Sequence, residues 1–394
     1  MNNFTLENFG PIRKASVNFG DLTILIGPQA SGKSLFLEMM KLMADRKQIL
    51  EVLRKYNYIV DKYDSENIVE TFFGEGMGGI IRDDTRLSLD TERMDSARIL
   101  QMLRSPASKA GVKETVFYVP AQRIMSMDDG RARNFMEFNI SSPYVLRNFS
   151  ETLRIFVQGG LGNPDIIFPM ANRLKGQTKR AITDSIFHNS RVVIDKTSGQ
   201  RKMKLSVDDA YIPFMAWSAG QKEFLPLLLS FYYLSKVPNN IAKAQDYQTV
   251  IIEEPEMGLH PKAILSVILE MIDLMAAGYR LIVSTHSFVL LEFAWAFNAL
   301  QQTGSDQDEM IKALCEMFEV NENTSVARSF GEITEKSINT YYFSPNAGGN
   351  RVQTKNISSL DAGASDQVVA EWGGLSHFAG KAADVVLNYA GDRE

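Results

Sequence analysis

Gly27-Pro28-Gln29-Ala30-Ser31-Gly32-Lys33-Ser34 has the spacing G-x-x-x-x-G-K-[ST]. It lies between an apolar run, Leu22 to Ile26, and a helically spaced run from Ser34 to Asp45, which is the context this motif requires. Glycines let successive backbone N–H groups turn toward an anion with no side chain in the way. The helix that follows adds the positive end of its dipole. Lys33 supplies a point charge for β- and γ-phosphates, and the Ser34 hydroxyl supplies a ligand for Mg²⁺. The chemistry specified is the grip of a nucleoside triphosphate.

A second set of reactive groups closes an apolar strand. Val250-Ile251-Ile252 runs into Glu253-Glu254-Pro255-Glu256. In an open parallel sheet such strand ends lie beside the phosphate loop. Glu253 is placed to hold Mg²⁺, directly or through water, and Glu254 to orient and deprotonate an attacking water. Glu253 stands where aspartate is more usual, so its longer side chain must reach the ion differently.

Three further segments carry polar groups at element ends. Trp217-Ser218-Ala219-Gly220-Gln221-Lys222 precedes a long apolar helix; its bland reading is helix capping by Ser218. Leu281-Ile282-Val283-Ser284-Thr285-His286 is another apolar strand with a polar end. Val119-Pro120-Ala121-Gln122-Arg123 follows a short strand at Thr115 to Val119.

The elements that must position these groups read as α/β. Val250 to Ile252 and Leu281 to Ser284 are continuous apolar runs, as expected for parallel strands covered on both faces. Ala15 to Phe19 reads as a strand, Tyr144 to Val157 as a helix, and Asn339 to Phe343 with Val352 to Ile357 as a terminal strand pair. Arg191 to Asp195 and Arg201 to Val207 read as a hairpin turning at Ser198-Gly199.

The chain of 394 residues, 45% hydrophobic and 23% charged, suits an ordinary globular protein of two or three domains. Its net charge of −5 gives no global pull toward nucleic acid. The single cysteine, Cys315, permits no internal disulfide, as in a reducing cytoplasm. Met1 to Phe4 lacks the features of a signal peptide. Phe224 to Val237, the most apolar stretch, is too short to span a bilayer, so no membrane association is expected.

With the phosphate loop, signature, acidic strand and switch in order, the chain resembles ABC ATPases. The opening Phe4-Thr5-Leu6-Glu7-Asn8-Phe9-Gly10-Pro11-Ile12 and the run Ile252 to Pro261 are similar to the SMC-related, OLD-like ATPases of bacteria and phages. That group includes ATPase subunits of anti-phage systems such as PARIS, Septu and retron modules. The resemblance covers residues 1–46, 111–125 and 206–300. It implies a P-loop NTPase with a mixed central sheet and flanking helices, an α-rich insertion, and ATP with Mg²⁺ as cofactors. It implies nucleotide contacts from Gly27, Gln29, Ala30, Ser31, Gly32, Lys33, Ser34 and Leu35. Ser218, Gly220 and Gln221, matching L-S-G-G-Q with alanine as a departure at Ala219, would contact the γ-phosphate held by a second copy. His286 would be the switch histidine, and Glu256 to Pro261 would occupy the D-loop position. Gln122 would sense Mg²⁺ and the γ-phosphate in the Q-loop, with Arg123 competing as a phosphate or interface contact.

The implied organisation is a split ATPase domain: 1–46, a helical insertion at 47–110, the Q-loop strand at 111–125, an α-rich basic insertion at 126–205, and 206–394. Residues 47–204 are too short and too broken by glycine and proline for the long coiled coil of SMC proteins. Asp306-Gln307-Asp308 has D-x-D spacing but follows a polar loop, so no intrinsic nuclease is expected. The implied role is a dimer-forming sensor or scaffold ATPase in defence, answering a phage-derived trigger and controlling a separate nuclease or toxin. The alternative is a DNA-maintenance ATPase that clamps DNA. Arg173 to Lys204 holds nine basic residues and two acids, read first as a solvated face and alternatively as a phosphate-backbone contact.

Overall fold

The computed structural model describes residues 1–58, 64–104, 113–162, 164–195, 201–235, 245–346 and 351–390. The turn at Ser198-Gly199, the basic residue Lys196, the end of the 224–237 run and the boundary at 110/111 lie outside the described residues.

Ten strands form the main sheet. In chain order they are β1 Asn3–Phe9, β2 Ile12–Asn18, β3 Leu22–Ile26, β4 Ile81–Leu89, β5 Glu92–Asp95 and β6 Val116–Val119. After the smaller strands β7 Met127–Asp128, β8 Arg131–Ala132, β9 Ile166–Phe168, β10 Arg191–Asp195, β11 Lys202–Val207 and β12 Ala210–Pro213 come β13 Thr249–Glu253, β14 Arg280–Ser284, β15 Ile338–Pro345 and β16 Val352–Asn356. The main order is β5-β4-β1-β2-β16-β15-β3-β14-β13-β6. The half from β15 to β6 is all parallel. Its central strands are mostly apolar because helices cover both faces: β3 reads Leu-Thr-Ile-Leu-Ile with every residue buried. The other half is mostly antiparallel, with β16 joining the two.

The stretch 47–110 departs from its helical expectation. The first helix, α1 Lys33–Lys55, runs past Asp45, where the backbone is non-helical, and so straddles the 46/47 boundary. α2 Ser65–Phe73 and α3 Ser96–Arg104 follow, but between them β4 and β5 extend the main sheet. In β4 only Ile81, Thr85 and Leu87 are buried among exposed charges, so the strand period is masked by a charged composition. The 126–205 stretch is likewise less helical than expected. It contributes α4 Tyr144–Ile155 and α5 Gly176–Ile182, but also most of a four-stranded sheet, β12-β11-β10-β9. The expected hairpin is present as β10 paired to β11, and residue 206 falls inside β11.

α6 Ala219–Leu234 and α7 Pro261–Ala276 belong to the core on one sheet face; α1 packs with the core on the other. α8 Phe288–Gln302, α9 Gln307–Met317 and α10 Ser325–Ile333 follow β14, and α11 Gln367–Ala370 and α12 His377–Ala390 close the chain. Asp306 accepts from the Glu309 amide and caps α9. Cys315 is buried. Among the described residues no helix is long and apolar enough to cross a membrane.

A buried charge cluster sets the strand nearest the candidate Q-loop. Lys41 Nζ donates to Asp45 Oδ2 at 2.7 Å, Glu114 Oε1 at 3.1 Å and the Val116 carbonyl at 2.6 Å. Asp45 accepts in turn from the Thr115 amide at 2.8 Å and the Val116 amide at 3.0 Å, tying α1 to the start of β6. Burial alone would lower the Lys41 pKa, but Glu114 and Asp45 together hold it above the ordinary value.

Candidate functional site

The chemistry gathers at the C-terminal ends of β3, β13, β14 and β6, where an open parallel sheet leaves loops free to converge. The 27–34 loop turns from β3 into α1. Ala30 takes φ 59° and Gly32 φ 87°. A Cβ on Gly32 would lie 2.9 Å from Ile12 Cγ1 and 3.0 Å from Pro11 Cγ, so the Gly10-Pro11-Ile12 turn braces the loop and only glycine fits between. Gln29, Ala30 and Ser34 are exposed, Ser31 is buried, and Leu35 is half-buried beside the Gly10 turn.

Lys33 curls into its own loop. Its ammonium donates to the carbonyls of Gly27 at 2.7 Å and Pro28 at 3.0 Å, with Ser31 Oγ at 3.4 Å. Burial lowers its pKa to about 8, against the pull of Glu254, Glu253 and Glu256.

Glu253 ends β13 fully enclosed. Burial raises its pKa; the nearby Ser34 and Tyr118 hydroxyls and the Ala121 amide favour the charged form, and Glu254 disfavours it. The Ala121 amide lies 3.4 Å from Oε2, while Oε1 makes no hydrogen bond. A buried carboxylate oxygen without a partner, next to a serine hydroxyl, is a donor pair that suits Mg²⁺. That ion keeps several waters and substrate oxygens and needs only one or two protein ligands. Accordingly, among the described residues no group of three His, Cys, Asp or Glu side chains converges as a metal cage. One turn along α1 from Ser34, Glu38 is also buried, its pKa raised well above normal by burial and by Glu253.

Glu254 lies one residue beyond the strand, at φ 44°, with its amide donating to the Ser284 carbonyl at 2.8 Å. Its Oε1 is 3.7 Å from His286 Nε2. Burial and the Lys33 charge lower the His286 pKa, against Glu254 and Glu256, so the imidazole is held neutral near pH 7. Glu256, which the sequence places only in a loop, holds the Thr285-His286 turn. Its Oε1 accepts from Thr285 Oγ1 at 2.7 Å and from the His286 amide at 2.6 Å. The parallel register that sets Glu253 opposite Ser284 creates this pairing.

Gln122 is exposed in the loop after β6. Arg123, its competitor as a phosphate or interface contact, is completely buried, with its guanidinium turned to backbone carbonyls. Ser218 is exposed at the start of α6 and makes a capping box: its Oγ accepts from the Gln221 amide at 3.3 Å, and Gln221 Oε1 accepts from the Ser218 amide at 3.2 Å. Gln221 Nε2 also donates to the Ile186 carbonyl at 3.1 Å. A Cβ on Gly220 would fall 2.5 Å from the Gly258 carbonyl oxygen, so the start of α6 and the loop after β13 touch backbone to backbone. Among the described residues none of Ser218, Gly220 and Gln221 hydrogen-bonds to Lys33, Ser34 or Glu254. His260 caps α7, its Nδ1 accepting from the Lys262 amide at 3.2 Å.

In the basic stretch, Lys175 pairs with Asp273 at 2.8 Å, Lys204 with Asp195 at 2.6 Å and Lys202 with Asp129 at 2.5 Å. Arg173 donates to the Tyr232 carbonyl at 3.0 Å. Among the described residues four of these cations thus have structural partners, which reduces the excess charge left to attract a phosphate backbone.

Residues 1–82 match the family described as "AAA ATPase domain", and residues 174–292 match "AAA domain, putative AbiEii toxin, Type IV TA system". The Old nuclease of Escherichia phage P2 is 40% identical over 70 residues, 18% of this chain; the match spans only 12% of that protein's length. Among solved structures, an SMC head bound to the C-terminal winged-helix domain of ScpA is similar over 90% of this chain and 97% of its own, at 10% identity and TM-score 0.39. The SMC head domain from Thermotoga maritima is similar over 90% and 98%, at 10% identity and TM-score 0.35. An ATP-binding cassette of an ABC transporter in its ADP conformation is similar over 74% and 85%, at 13% identity and TM-score 0.30. The phosphate loop lies within the first of these ATPase-family matches and the acidic strand end within the second.

Proposed function

We propose that the chain hydrolyses ATP in a site completed only by a second copy, and that this dimerisation controls a separate effector. The observation that supports the reading is a division of labour. Lys33, Ser34, Glu253, Glu254 and His286 crowd one sheet end, while Ser218 stands exposed at a helix N-terminus and hydrogen-bonds to none of them. A helix N-terminus with an exposed capping hydroxyl is suited to an incoming γ-phosphate.

On this reading the 27–34 loop amides and Lys33 bind the triphosphate, and Ser34 with Glu253 holds Mg²⁺. The ion would screen the β- and γ-phosphate charge. Glu254 accepts the proton of the attacking water. Neutral His286, fixed by Glu256, donates toward the γ-phosphate. Gln122, exposed on the loop after β6, would contact the metal and the γ-phosphate, and Ser218, Gly220 and Gln221 of the second copy would close the far side. A role in prokaryotic or phage-encoded defence, with a nuclease or toxin as effector and a phage-derived trigger, draws support from the toxin-system family description and the phage Old nuclease match.

Light scattering of the Glu254→Gln chain tests the reading. It should be a monomer without nucleotide and a dimer with ATP and Mg²⁺, and adding Ser218→Arg should keep it monomeric. A mass that ignores both changes would overturn the composite site.

A further inference from the structure

Among the described residues Arg123 and Arg147 are the bulkiest fully buried side chains, and nothing in the triphosphate chemistry above uses Arg123. A buried guanidinium is costly unless its donors are met. Here they are met by backbone carbonyls from two elements. Nε donates to the Glu223 carbonyl of α6 at 3.1 Å, Nη1 to the Glu253 carbonyl at 3.0 Å and Nη2 to the Glu254 carbonyl at 3.1 Å. The nearest ion pair, Nε to Glu223 Oε2, is long at 3.9 Å. The planar fork is therefore spent on locating main chain rather than on neutralising a carboxylate.

We infer that Arg123 is a positioning residue: it locks the backbone of Glu253 and Glu254 to the helix that begins at Ser218, so that closure of the signature sets the angle of the hydrolytic carboxylate. Two observations converge on this. Glu254 sits at φ 44°, a left-handed conformation that a non-glycine residue holds only when its surroundings fix it. Its carbonyl is fixed by Arg123 Nη2 and by the Met257 amide at 3.0 Å, its amide by Ser284. The third carbonyl, of Glu223, lies five residues after Ser218, in the opening turns of the same helix. Signature and carboxylate of one chain serve the two different nucleotide sites of a dimer, so the clamp joins those sites through a single side chain. This rests on Glu254 being the base.

The test uses the full chain with ATP and Mg²⁺, comparing Arg123→Lys, Glu254→Gln and the double variant for equilibrium ATP binding and single-turnover hydrolysis. Lysine keeps the charge but cannot span three carbonyls. Arg123→Lys should bind ATP within about threefold of wild type and hydrolyse it about 10²-fold more slowly, the scale of a small misplacement of a reacting group. The double variant should be no slower than Glu254→Gln alone, because Arg123 acts through that carboxylate. Hydrolysis by Arg123→Lys within twofold of wild type, equal loss of binding and turnover, or multiplied losses in the double variant would each overturn the clamp. Arg123→Gln carries the same comparison if the lysine variant does not fold; failure of both to fold would make the role purely structural and also overturn it. A Glu254→Gln chain at wild-type rate would instead fault the base assignment, and Arg123→Lys alone would still test the clamp by its split between binding and turnover.

Discussion

Binding of ATP should draw in a proton at mildly alkaline pH, and Lys33 supplies the reason. Its ammonium is buried against the Gly27 and Pro28 carbonyls, and burial brings its pKa to about 8 despite three nearby glutamates. A triphosphate would restore the ordinary value by adding negative charge beside it. Lys33 is a base with a lowered pKa in the free chain, so the complex binds more protons than its components. Affinity must then fall as pH rises through about 8. At pH 7 the free chain already carries the proton, and uptake should be about 0.1; at pH 8.5 it should be about 0.8. Between pH 7 and 9 the affinity should fall about tenfold, or about 1.4 kcal/mol. Titration calorimetry in two buffers of different ionisation enthalpy reads the uptake directly. Buffer-independent enthalpies from pH 7.5 to 9 would refute the account of Lys33. So would uptake that survives in Lys33→Arg, whose guanidinium stays charged in both states.

Glu254→Gln should slow hydrolysis by about 10²–10⁴-fold with ATP binding retained, as phosphate release and nucleotide binding would record. Gly220→Ala, whose methyl would meet the Gly258 oxygen at 2.5 Å, should cost about 1–3 kcal/mol in chemical denaturation and weaken ATP-dependent dimerisation. Glu256→Ala removes the acceptor shared by Thr285 and the His286 amide and should lower turnover, while Glu256→Gln, which keeps an acceptor oxygen, should restore most of it. Lys41→Met leaves Asp45 and Glu114 buried without their cation and should cost about 3–5 kcal/mol in urea unfolding, leaving the nucleotide site chemically intact.

The sequence by itself determined what is written in one short stretch of chain. A strand, a glycine turn and a helix in succession are local physics, so the 27–34 loop, the acidic end of β13 and the polar end of β14 could be read directly, as could the β10–β11 hairpin. The alternation in β4 was hidden by its charges, and only pairing with β1 makes it a strand. The tertiary structure alone decided which distant groups meet. Arg123 clamps carbonyls 100, 130 and 131 residues away. Glu256 grips a loop 30 residues on, and Lys41 reaches Glu114 across 73 residues. A side chain's type states what it could bond, but burial and strand register choose the partner. A buried arginine and a surface arginine are the same letter until the fold has removed one of them from water.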